Sequence, residues 1–381
     1  MATALKTSSL QQRSIALDVF RGMTICFMII VNTPGNSDTT FSPLLHAKWN
    51  GFTPTDLVFP SFLFAVGNAK SFVMHKWGNM KRQEVVWKIL RRTALIFLLG
   101  YLMYWFPFFD LDKSQNIIAA PIRNTRIMGV LQRIALCYGI AALMIYFLKV
   151  RASVIICVAL LFLYWILLYW FGDATDPLSL QGNAGFKLDK LLMGENHMYH
   201  GEGVAFDPEG WLSTLPAISN VVGGFVVGRW IQQKGNSYEG LAKLLLAGFA
   251  LLVCGYFWDL LFPINKKLWT SSFVVYTIGL DCIIIAVLTY FIQFEKKVKW
   301  TTFFQVFGKN PLFIYLLSEL LVTVLFMIPV GTNSNMFRWI YQNIFSHAGG
   351  YAGSLLFAVC YMLLCWSVGY WLDKRKIYVR V

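Results

Sequence analysis

Residues 127–148 (IMGVLQRIALCYGIAALMIYFL) and 152–171 (ASVIICVALLFLYWILLYWF) decide the fold of this chain. Each is an almost continuous apolar run, and the two charged residues between them are Lys149 and Arg151. A helix needs roughly 20 mostly apolar residues to cross a hydrocarbon core of ~30 Å. The stretch therefore predicts two consecutive transmembrane helices joined by a short basic turn.

The same pattern recurs along a chain of 381 residues, of which 57% are hydrophobic and 14% are charged. This composition, with a mean hydropathy of +0.56, is too apolar for an ordinary water-soluble domain. We therefore predict an all-α polytopic membrane protein with about ten transmembrane helices in a single domain, residues 1–381. The predicted spans are 15–34, 54–74, 90–106, 127–148, 152–171, 211–228, 244–262, 270–293, 303–328 and 352–372.

Charge is distributed unevenly between the connections that alternate along the chain. The formal net charge is +14, and Lys and Arg are concentrated in one set of connections, such as residues 75–92. Asp and Glu are concentrated in the other set, above all in residues 172–210. Because Lys and Arg mark cytoplasmic connections, both termini are predicted to be cytoplasmic, and residues 35–53 and 172–210 are predicted to be outer loops. The basic excess thus indicates membrane topology, and no nucleic-acid partner is predicted.

Cysteines, sequons and the first apolar run indicate the compartment. All seven cysteines fall in predicted spans, so neither a disulfide framework nor a cysteine-based metal site is predicted. His197 and His200 do not have the spacing of a zinc-binding HExxH motif, and no metal is expected. We expect no cleaved signal peptide, because the first apolar run contains Asp18 and Arg21. The sequence also has no Asn-x-Ser/Thr sequon, and these features favour the bacterial inner (plasma) membrane.

Several cations fall inside predicted spans, where a charge is costly unless it is paired or faces a cavity. Arg21, Lys70 and Lys309, the last followed by Asn310, are placed at a similar depth in the inner leaflet. Snorkelling of a single lysine such as Lys70 to the interface is one interpretation. For the whole set we favour a basic vestibule for a phosphate-bearing cytoplasmic ligand. The residues predicted to bind this ligand are Arg21, Lys70, Arg91, Arg92, Arg133, Lys309 and Asn310.

His46 is the candidate catalytic residue. It lies in the first outer loop, with Asn32 at the outer end of the first span and Asp56 ten residues after it. Asp56 could either cap the second span or orient the imidazole. Asp18 and Arg21 are three residues apart, so they are predicted to face one another on a helix, and the pair could be purely structural.

Short motifs follow one another along the chain. They are LDVFRG (17–22), VN (31–32), HAKWNG (46–51), DLVFP (56–60), GVLQR (129–133), LLMG (191–194) with His197, DPEG (207–210) and NKKLW (265–269). Together they resemble the heparan-alpha-glucosaminide N-acetyltransferase family of the transmembrane acyltransferase superfamily. The resemblance covers nearly the whole chain. The animal lysosomal enzymes have an extra N-terminal lumenal segment that this sequence is not expected to share. This difference is expected for a bacterial member.

The resemblance implies an enzyme that transfers acetyl from cytoplasmic acetyl-CoA to the amine of a terminal glucosamine on the outer, periplasmic face. The family's catalytic histidine matches His46 and its active-site asparagine matches Asn32. His46 would act as a general base or carry an acetyl-imidazole intermediate, and the sequence does not separate these mechanisms. Asp18 and Asp56 are assigned supporting roles. Acceptor binding is assigned to His197, Asp207, Glu209, Trp211 and Asp259.

Other interpretations stay open at this point. The chain could be an O-acyltransferase of an envelope glycan, or a sugar transporter that consumes no acetyl-CoA. The resemblance implies a homodimer in the lipid bilayer. The sequence does not specify whether the acceptor is a monosaccharide, an oligosaccharide fragment or a lipid-linked sugar.

Overall fold

The computed structural model describes residues 15–111, 117–331 and 334–379, and within them the chain is almost entirely helical. The α-helices are α1 (Ile15–Asn32), α2 (Val58–Val73), α3 (Arg82–Trp105), α4 (Val130–Phe171), α5 (Ala184–Met193), α6 (Thr214–Lys234), α7 (Tyr238–Asp259), α8 (Ser271–Thr289), α9 (Thr301–Lys309), α10 (Pro311–Met327), α11 (Met336–Ile340) and α12 (Gly350–Lys374). Two short antiparallel hairpins pair β1 (Phe109–Leu111) with β2 (Ile117–Ala119) and β3 (Pro329–Val330) with β4 (Ser334–Asn335).

Five described stretches are long and apolar enough to cross a membrane, namely α1, α4, α7, α8 with its π-helical end at Tyr290–Phe294, and α12. A sixth is formed if α9 and α10 count together, although a bend of 82° separates them. These stretches confirm the prediction of a helical chain with apolar segments of membrane length. The number of ten spans and the cytoplasmic termini stay predictions. Residues 1–14 and 380–381 lie outside the described residues.

The 42-residue helix α4 contains one break. At Lys149 the backbone adopts φ 65° and ψ 165°, and a positive φ is uncommon for a residue that carries a side chain. The hydroxyl of Ser153 donates to the carbonyl oxygen of Lys149 at 2.8 Å. The break divides α4 into two arms that coincide with the apolar runs 127–148 and 152–171, with the basic turn between them.

The chain forms two compact units. Among the described residues, the first unit comprises 15–48, 52–62 and 284–379, and the second comprises 49–51 and 63–283. The helices α2 and α8 each contribute residues to both units. Each unit has its own core, and the side chains predicted to be functional are divided between them.

In the first unit, α1 packs against α9, α10 and α12. Glycines allow α1 and α9 to meet at backbone distance. A Cβ at Gly22 would lie 1.9 Å from the carbonyl oxygen of Phe304, and one at Gly308 would lie 2.4 Å from that of Asp18. Small residues at such crossings let helices in a bilayer approach closely and pack. The crossing places Asp18 and Arg21 beside the end of α9.

In the second unit, α4 packs against both α3 and α6. A core cluster between α3 and α4 consists of Val85, Ile89, Tyr138 and Ala142, together with Trp77 from the 3₁₀ turn before α3. The helices α2 and α6 also meet through glycines. A Cβ at Gly67 would lie 1.9 Å from the carbonyl oxygen of Val221, and one at Gly224 would lie 1.9 Å from that of Phe64. Glycine-mediated crossings therefore determine helix spacing in both units.

We expect Gly22→Ala to lower the thermal stability of the protein in detergent, because its methyl group would overlap the Phe304 carbonyl and separate α1 from α9. Overpacking of this kind costs about 1–3 kcal/mol. The matched control is Gly78→Ala, since a Cβ at Gly78 meets no atom within 4 Å. Equal midpoints of thermal unfolding for the two variants would contradict the proposed close crossing.

Candidate active site

The His46 loop, residues 33–57 between α1 and α2, is organised around the Asp56 carboxylate. Asp56 lies in the 3₁₀ turn Pro54–Leu57, and its side chain is 1% exposed. Its Oδ2 accepts the backbone N–H of Thr53 at 3.0 Å, which caps the turn, and that of Ala47 at 3.2 Å. A carboxylate that accepts several backbone N–H bonds is held in one orientation. Asp56 therefore ties the residue after His46 to the start of α2.

The second oxygen of Asp56 holds the imidazole. His46 Nδ1 lies 2.7 Å from Asp56 Oδ1, and the His46 side chain is 42% exposed. A carboxylate is an acceptor only, so Nδ1 carries the hydrogen of this bond. In the neutral ring the lone pair then resides on Nε2. Of the two roles considered for Asp56, orientation of the histidine is the one that these contacts show, and the turn that Asp56 caps is the 3₁₀ turn that precedes α2.

Asn32 is the last residue of α1, and its side-chain amide donates to Glu319 Oε1 of α10 at 3.3 Å. Both residues belong to the first unit. An amide NH₂ has two hydrogens, and the bond to Glu319 uses one of them. Glu319 thus orients the Asn32 amide, a contact between residues 287 positions apart that the sequence did not indicate.

An apolar cavity of about 240 Å³ lies between α1 and the His46 loop, within the first unit. Its wall includes Met23 and Phe27 from α1, and Leu44 and Thr55 from the loop. The Thr55 hydroxyl donates to the Pro43 carbonyl at 2.9 Å, so it presents little polarity to the cavity. The cavity suits a hydrocarbon or a small acyl group better than a hydrated ligand.

The predicted donor-binding cations of the first unit are engaged within the protein. Arg21 donates to Asp18 at 2.9 Å and to the carbonyl oxygen of Gly308. Lys309 contacts both carboxylate oxygens of Asp373, at 2.8 and 2.9 Å. Asn310 donates its amide N–H to the Ile377 carbonyl and accepts from the Val379 N–H. These contacts fix the junction of α9 and α10, and a role in donor binding stays a prediction.

In the second unit, Lys70 is 4% exposed rather than extended to a surface. Its ammonium donates to the Tyr138 hydroxyl at 2.7 Å and lies 3.8 Å from the centroid of the Trp77 ring. The Arg92 guanidinium stacks on the other aromatic partner, 4.9 Å from the Tyr138 ring centroid. Arg91 is exposed. Tyr138 thus contacts both Lys70 and Arg92, and donor binding by these cations stays a prediction.

Arg133 is fully buried and lies beneath the predicted acceptor segment. One of its terminal nitrogens donates to the Gly210 carbonyl at 3.0 Å and to the Ser213 hydroxyl. Its guanidinium stacks on Trp269 at 5.0 Å. Within the described residues, Nε and Nη1 of Arg133 have no hydrogen-bond partner. Arg133 thus contacts Gly210 of the motif Asp207-Pro-Glu-Gly and Ser213 just after it, although the sequence predicts a donor-binding role for Arg133.

Asp207 and Glu209 converge on Arg126, which the sequence analysis did not identify. Arg126 binds both oxygens of Asp207, at 2.7 and 3.0 Å, and Glu209 Oε2 at 2.6 Å. Its guanidinium lies between the rings of Tyr104 and Tyr199, at 5.0 and 4.8 Å. Two buried acids require a cation nearby, and that requirement was the available signal. Burial opposes ionisation of Glu209, but Arg126 and neighbouring cations outweigh it and lower its pKa.

The remaining predicted acceptor residues form contacts within the second unit. His197 Nδ1 lies 2.7 Å from the Thr125 carbonyl oxygen. Asp259 accepts the N–H of Ile264 at 2.5 Å, and the backbone N–H of Trp211 donates to Asp189 at 2.8 Å. In the described residues, no group of three or more His, Cys, Asp or Glu is placed to hold a metal ion.

The second unit also brings together aromatic and polar groups near residue 49. Trp49 donates its indole N–H to the Leu178 carbonyl at 3.0 Å and packs edge-on against Phe206. Asn50 accepts from the Asn265 amide at 3.1 Å. Lys267 and Glu202 form an ion pair at 2.5 Å. Aromatic rings beside an ion pair can contact a ligand that has both apolar and polar faces.

Asp189 on α5 is 2% exposed. Burial raises its pKa to about 7, although the Trp211 N–H bond opposes the shift. The folded protein therefore holds a proton on this carboxyl group at pH values where the unfolded chain, with a pKa of about 3.9, has lost it. Its contribution to the free energy of unfolding is full below about pH 4 and is lost as the pH rises through 7.

We expect Asp189→Asn to remove this dependence, because the amide keeps an oxygen for the Trp211 N–H and does not ionise. Between pH 4 and 8 the wild-type midpoint of thermal unfolding should fall relative to that of the variant, by several degrees in total. Asp173→Asn is the control, since Asp173 is 54% exposed. Parallel profiles for wild type and Asp189→Asn would contradict the assignment.

Comparison with known proteins agrees with the resemblance seen in the motifs. No family model matches the chain. Heparan-alpha-glucosaminide N-acetyltransferase of Mus musculus is 25% identical over 426 aligned residues, which cover 96% of this chain and 60% of the relative. The Homo sapiens protein of the same name is 25% identical over 441 residues, which cover 99% of this chain and 61% of the relative. The chain thus spans about three fifths of the length of these curated relatives, and it is distantly related to them over nearly all of its own length.

Proposed function

We propose that this protein is a membrane-bound acetyltransferase that moves acetyl from acetyl-CoA to the amine of a glucosamine-type sugar. The observation that carries the proposal is the 2.7 Å contact between His46 Nδ1 and the buried Asp56 carboxylate. The distant relationship to an N-acetyltransferase gives this histidine its proposed reaction. A base held by a buried carboxylate is the arrangement that activates an amine toward an acyl donor.

The acceptor amine is the group that the proposed base must prepare. An ammonium has no lone pair, so it loses one proton to solvent before reaction. The amine nitrogen then attacks the thioester carbonyl carbon while His46 Nε2 takes its second proton. The C–N bond forms, the C–S bond breaks, and the proton passes from the imidazolium to the CoA thiolate. Asp56 stabilises the imidazolium through its Nδ1 bond, as a carboxylate does behind a catalytic histidine.

Asn32 is proposed to stabilise the oxyanion that forms on the acetyl carbon. Its amide is oriented by Glu319 at 3.3 Å, which leaves the geometry of its second N–H defined. One such donor contributes about 3 kcal/mol of transition-state stabilisation. If His46 instead carries the acetyl group, Nε2 is again the reacting atom, so the same geometry serves the competing mechanism.

The donor and acceptor are proposed to approach from opposite faces of the bilayer, with acetyl-CoA on the cytoplasmic side and the sugar on the periplasmic side. The apolar cavity beside the His46 loop would accommodate the acetyl end of the donor. The Arg126 cluster, with its tyrosines and carboxylates, is the proposed acceptor-binding region of the second unit. A bacterial inner-membrane location and a homodimer complete the proposal.

We expect His46→Ala to lower acetyl transfer at least a hundredfold, because a positioned base contributes roughly 10²–10⁴ in rate. Asp56→Asn should lower it at least tenfold, since the amide favours the wrong tautomer of the ring. The assay measures free CoA and the N-acetylated product by mass spectrometry, with acetyl-CoA and a panel of amino sugars. His347→Ala, at an exposed histidine, is the control and should retain full activity.

Each of three results would overturn part of this assignment. Wild-type turnover in His46→Ala would remove the imidazole from the mechanism. Uptake of sugar into vesicles without release of CoA would indicate a transporter instead. Loss of acetyl-CoA binding in His46→Ala, with the fold intact, would place the histidine in the donor site rather than at the acceptor.

The exposed residues Arg91 and Arg92 lead to a separate prediction about donor binding. We expect Arg91→Gln combined with Arg92→Gln to raise the KM for acetyl-CoA several-fold at low salt and to leave the KM for the sugar unchanged. The increase in the KM for acetyl-CoA should be smaller in 0.5 M NaCl. At that salt concentration the Debye length is about 4 Å, so attraction between exposed charges is strongly screened. Lys243→Gln is the control, since Lys243 pairs with Glu239 at 2.5 Å. A salt-independent effect, or no effect, would exclude phosphate attraction by these arginines.

A further inference from the structure

A second cavity, of about 400 Å³, lies in the second unit at the break of α4. It is bounded by α2, by both arms of α4 and by α6. The residues that matter for its chemistry are Ser71, Met74, Ile145, Lys149, Phe225 and Arg229. None of these side chains belongs to the proposed acetyl-transfer site, so the cavity requires its own explanation.

Charge is one-sided in this cavity. Lys149 and Arg229 line it, and among the described side chains no acid does. Neither cation forms an ion pair within the described residues. By contrast, the exposed Lys243 of the same unit is neutralised by Glu239 at 2.5 Å. Two cations without a carboxylate attract an anion, and phosphate oxygens accept charge-assisted hydrogen bonds from both lysine and arginine.

The rest of the wall is apolar. Met74, Ile145 and Phe225 face the same space as the two cations. The Ser71 hydroxyl donates to the Asn68 carbonyl at 2.7 Å, so it adds little polarity. A ligand that satisfies this wall has an anionic group at one end and hydrocarbon at the other. The polar ribose and base of a nucleotide do not match such a lining.

Lys149 also lies at the break of α4. Its φ of 65° is costly for a residue with a Cβ, and residues held in such conformations cluster at ligand-binding sites. The residue with the strained backbone is thus one of the two cations that line the cavity.

We propose that this cavity binds the phosphate of an anionic membrane phospholipid, held by Lys149 and Arg229, with the start of an acyl chain against Met74, Ile145 and Phe225. Lys149 and Arg229 fall in connections that the charge distribution assigns to the cytoplasmic side. Basic pockets between transmembrane helices on that side bind anionic lipid head groups. Lipid binding at this cavity is independent of acetyl transfer, because none of the lining residues belongs to the proposed transfer site.

The test uses the full chain purified in detergent and titrated with phosphatidylglycerol or phosphatidylcholine in mixed micelles, with binding measured by native mass spectrometry. We expect phosphatidylglycerol to bind at least tenfold more tightly than phosphatidylcholine. Lys149→Gln combined with Arg229→Gln should weaken phosphatidylglycerol binding about thirtyfold, or about 2 kcal/mol at 1.4 kcal/mol per decade. Arg151→Gln, at an exposed cation two residues from Lys149 that does not line the cavity, should bind as wild type does.

Several results would overturn the proposal. Equal affinity of the wild-type protein for the two lipids would exclude a site that selects lipids with a net negative head group, and this comparison needs no variant. An equal loss in Arg151→Gln would indicate general surface charge. CoA or inorganic phosphate that displaces phosphatidylglycerol from the wild type, together with lost CoA binding in the double variant, would assign the cations to a soluble phosphate ligand instead.

Discussion

A carboxylate in apolar surroundings needs hydrogen-bond donors on its oxygens, and this constraint shapes the candidate active site. Asp56 receives the N–H groups of Thr53 and Ala47 on one oxygen and the imidazole of His46 on the other. The loop cannot move away without leaving a buried charge unpaired, which costs several kcal/mol. The orientation of the imidazole is thus fixed by the folding of residues 45–57, before any ligand binds. The same hydrogen bonds therefore stabilise the loop and orient the imidazole.

The same constraint limits what the buried cations can do. Arg21 and Lys309 are paired with Asp18 and Asp373, and Arg126 is shared by two acids. A phosphate that binds to such a cation must compete with a carboxylate already in place. Cations without an acidic partner among the described residues, such as Arg229, meet no such competition. The sequence shows which positions carry a cation. The ion pairs in the structure determine which of these cations can bind an anionic ligand without displacing a carboxylate.

Local features were predictable from the sequence, and distant ones were not. The apolar runs predict helices, and the basic turn between two of them predicts the break at Lys149. Both features depend only on consecutive residues. The contact between His46 and Asp56 spans ten positions and was among the alternatives considered. The Arg126 pairs span 81 and 83 positions, and nothing local links the partners. The 82° bend between α9 and α10 is different, because it falls at Asn310-Pro311, where a proline begins α10 and provides a local signal within the predicted span 303–328.

Few positions of this chain require a particular residue for the contacts described, and the chain is 25% identical to its relatives. The helix crossings require small size at positions such as Gly22 and Gly67, not particular chemistry elsewhere on the helices. Apolar surfaces that face lipid or a helix partner tolerate exchange among residues of similar volume. The His46 loop is different, because each hydrogen bond to Asp56 depends on a defined donor at a defined distance. Substitutions are therefore expected to be least tolerated in the His46 loop and at these glycines, and most tolerated over the remaining apolar sequence.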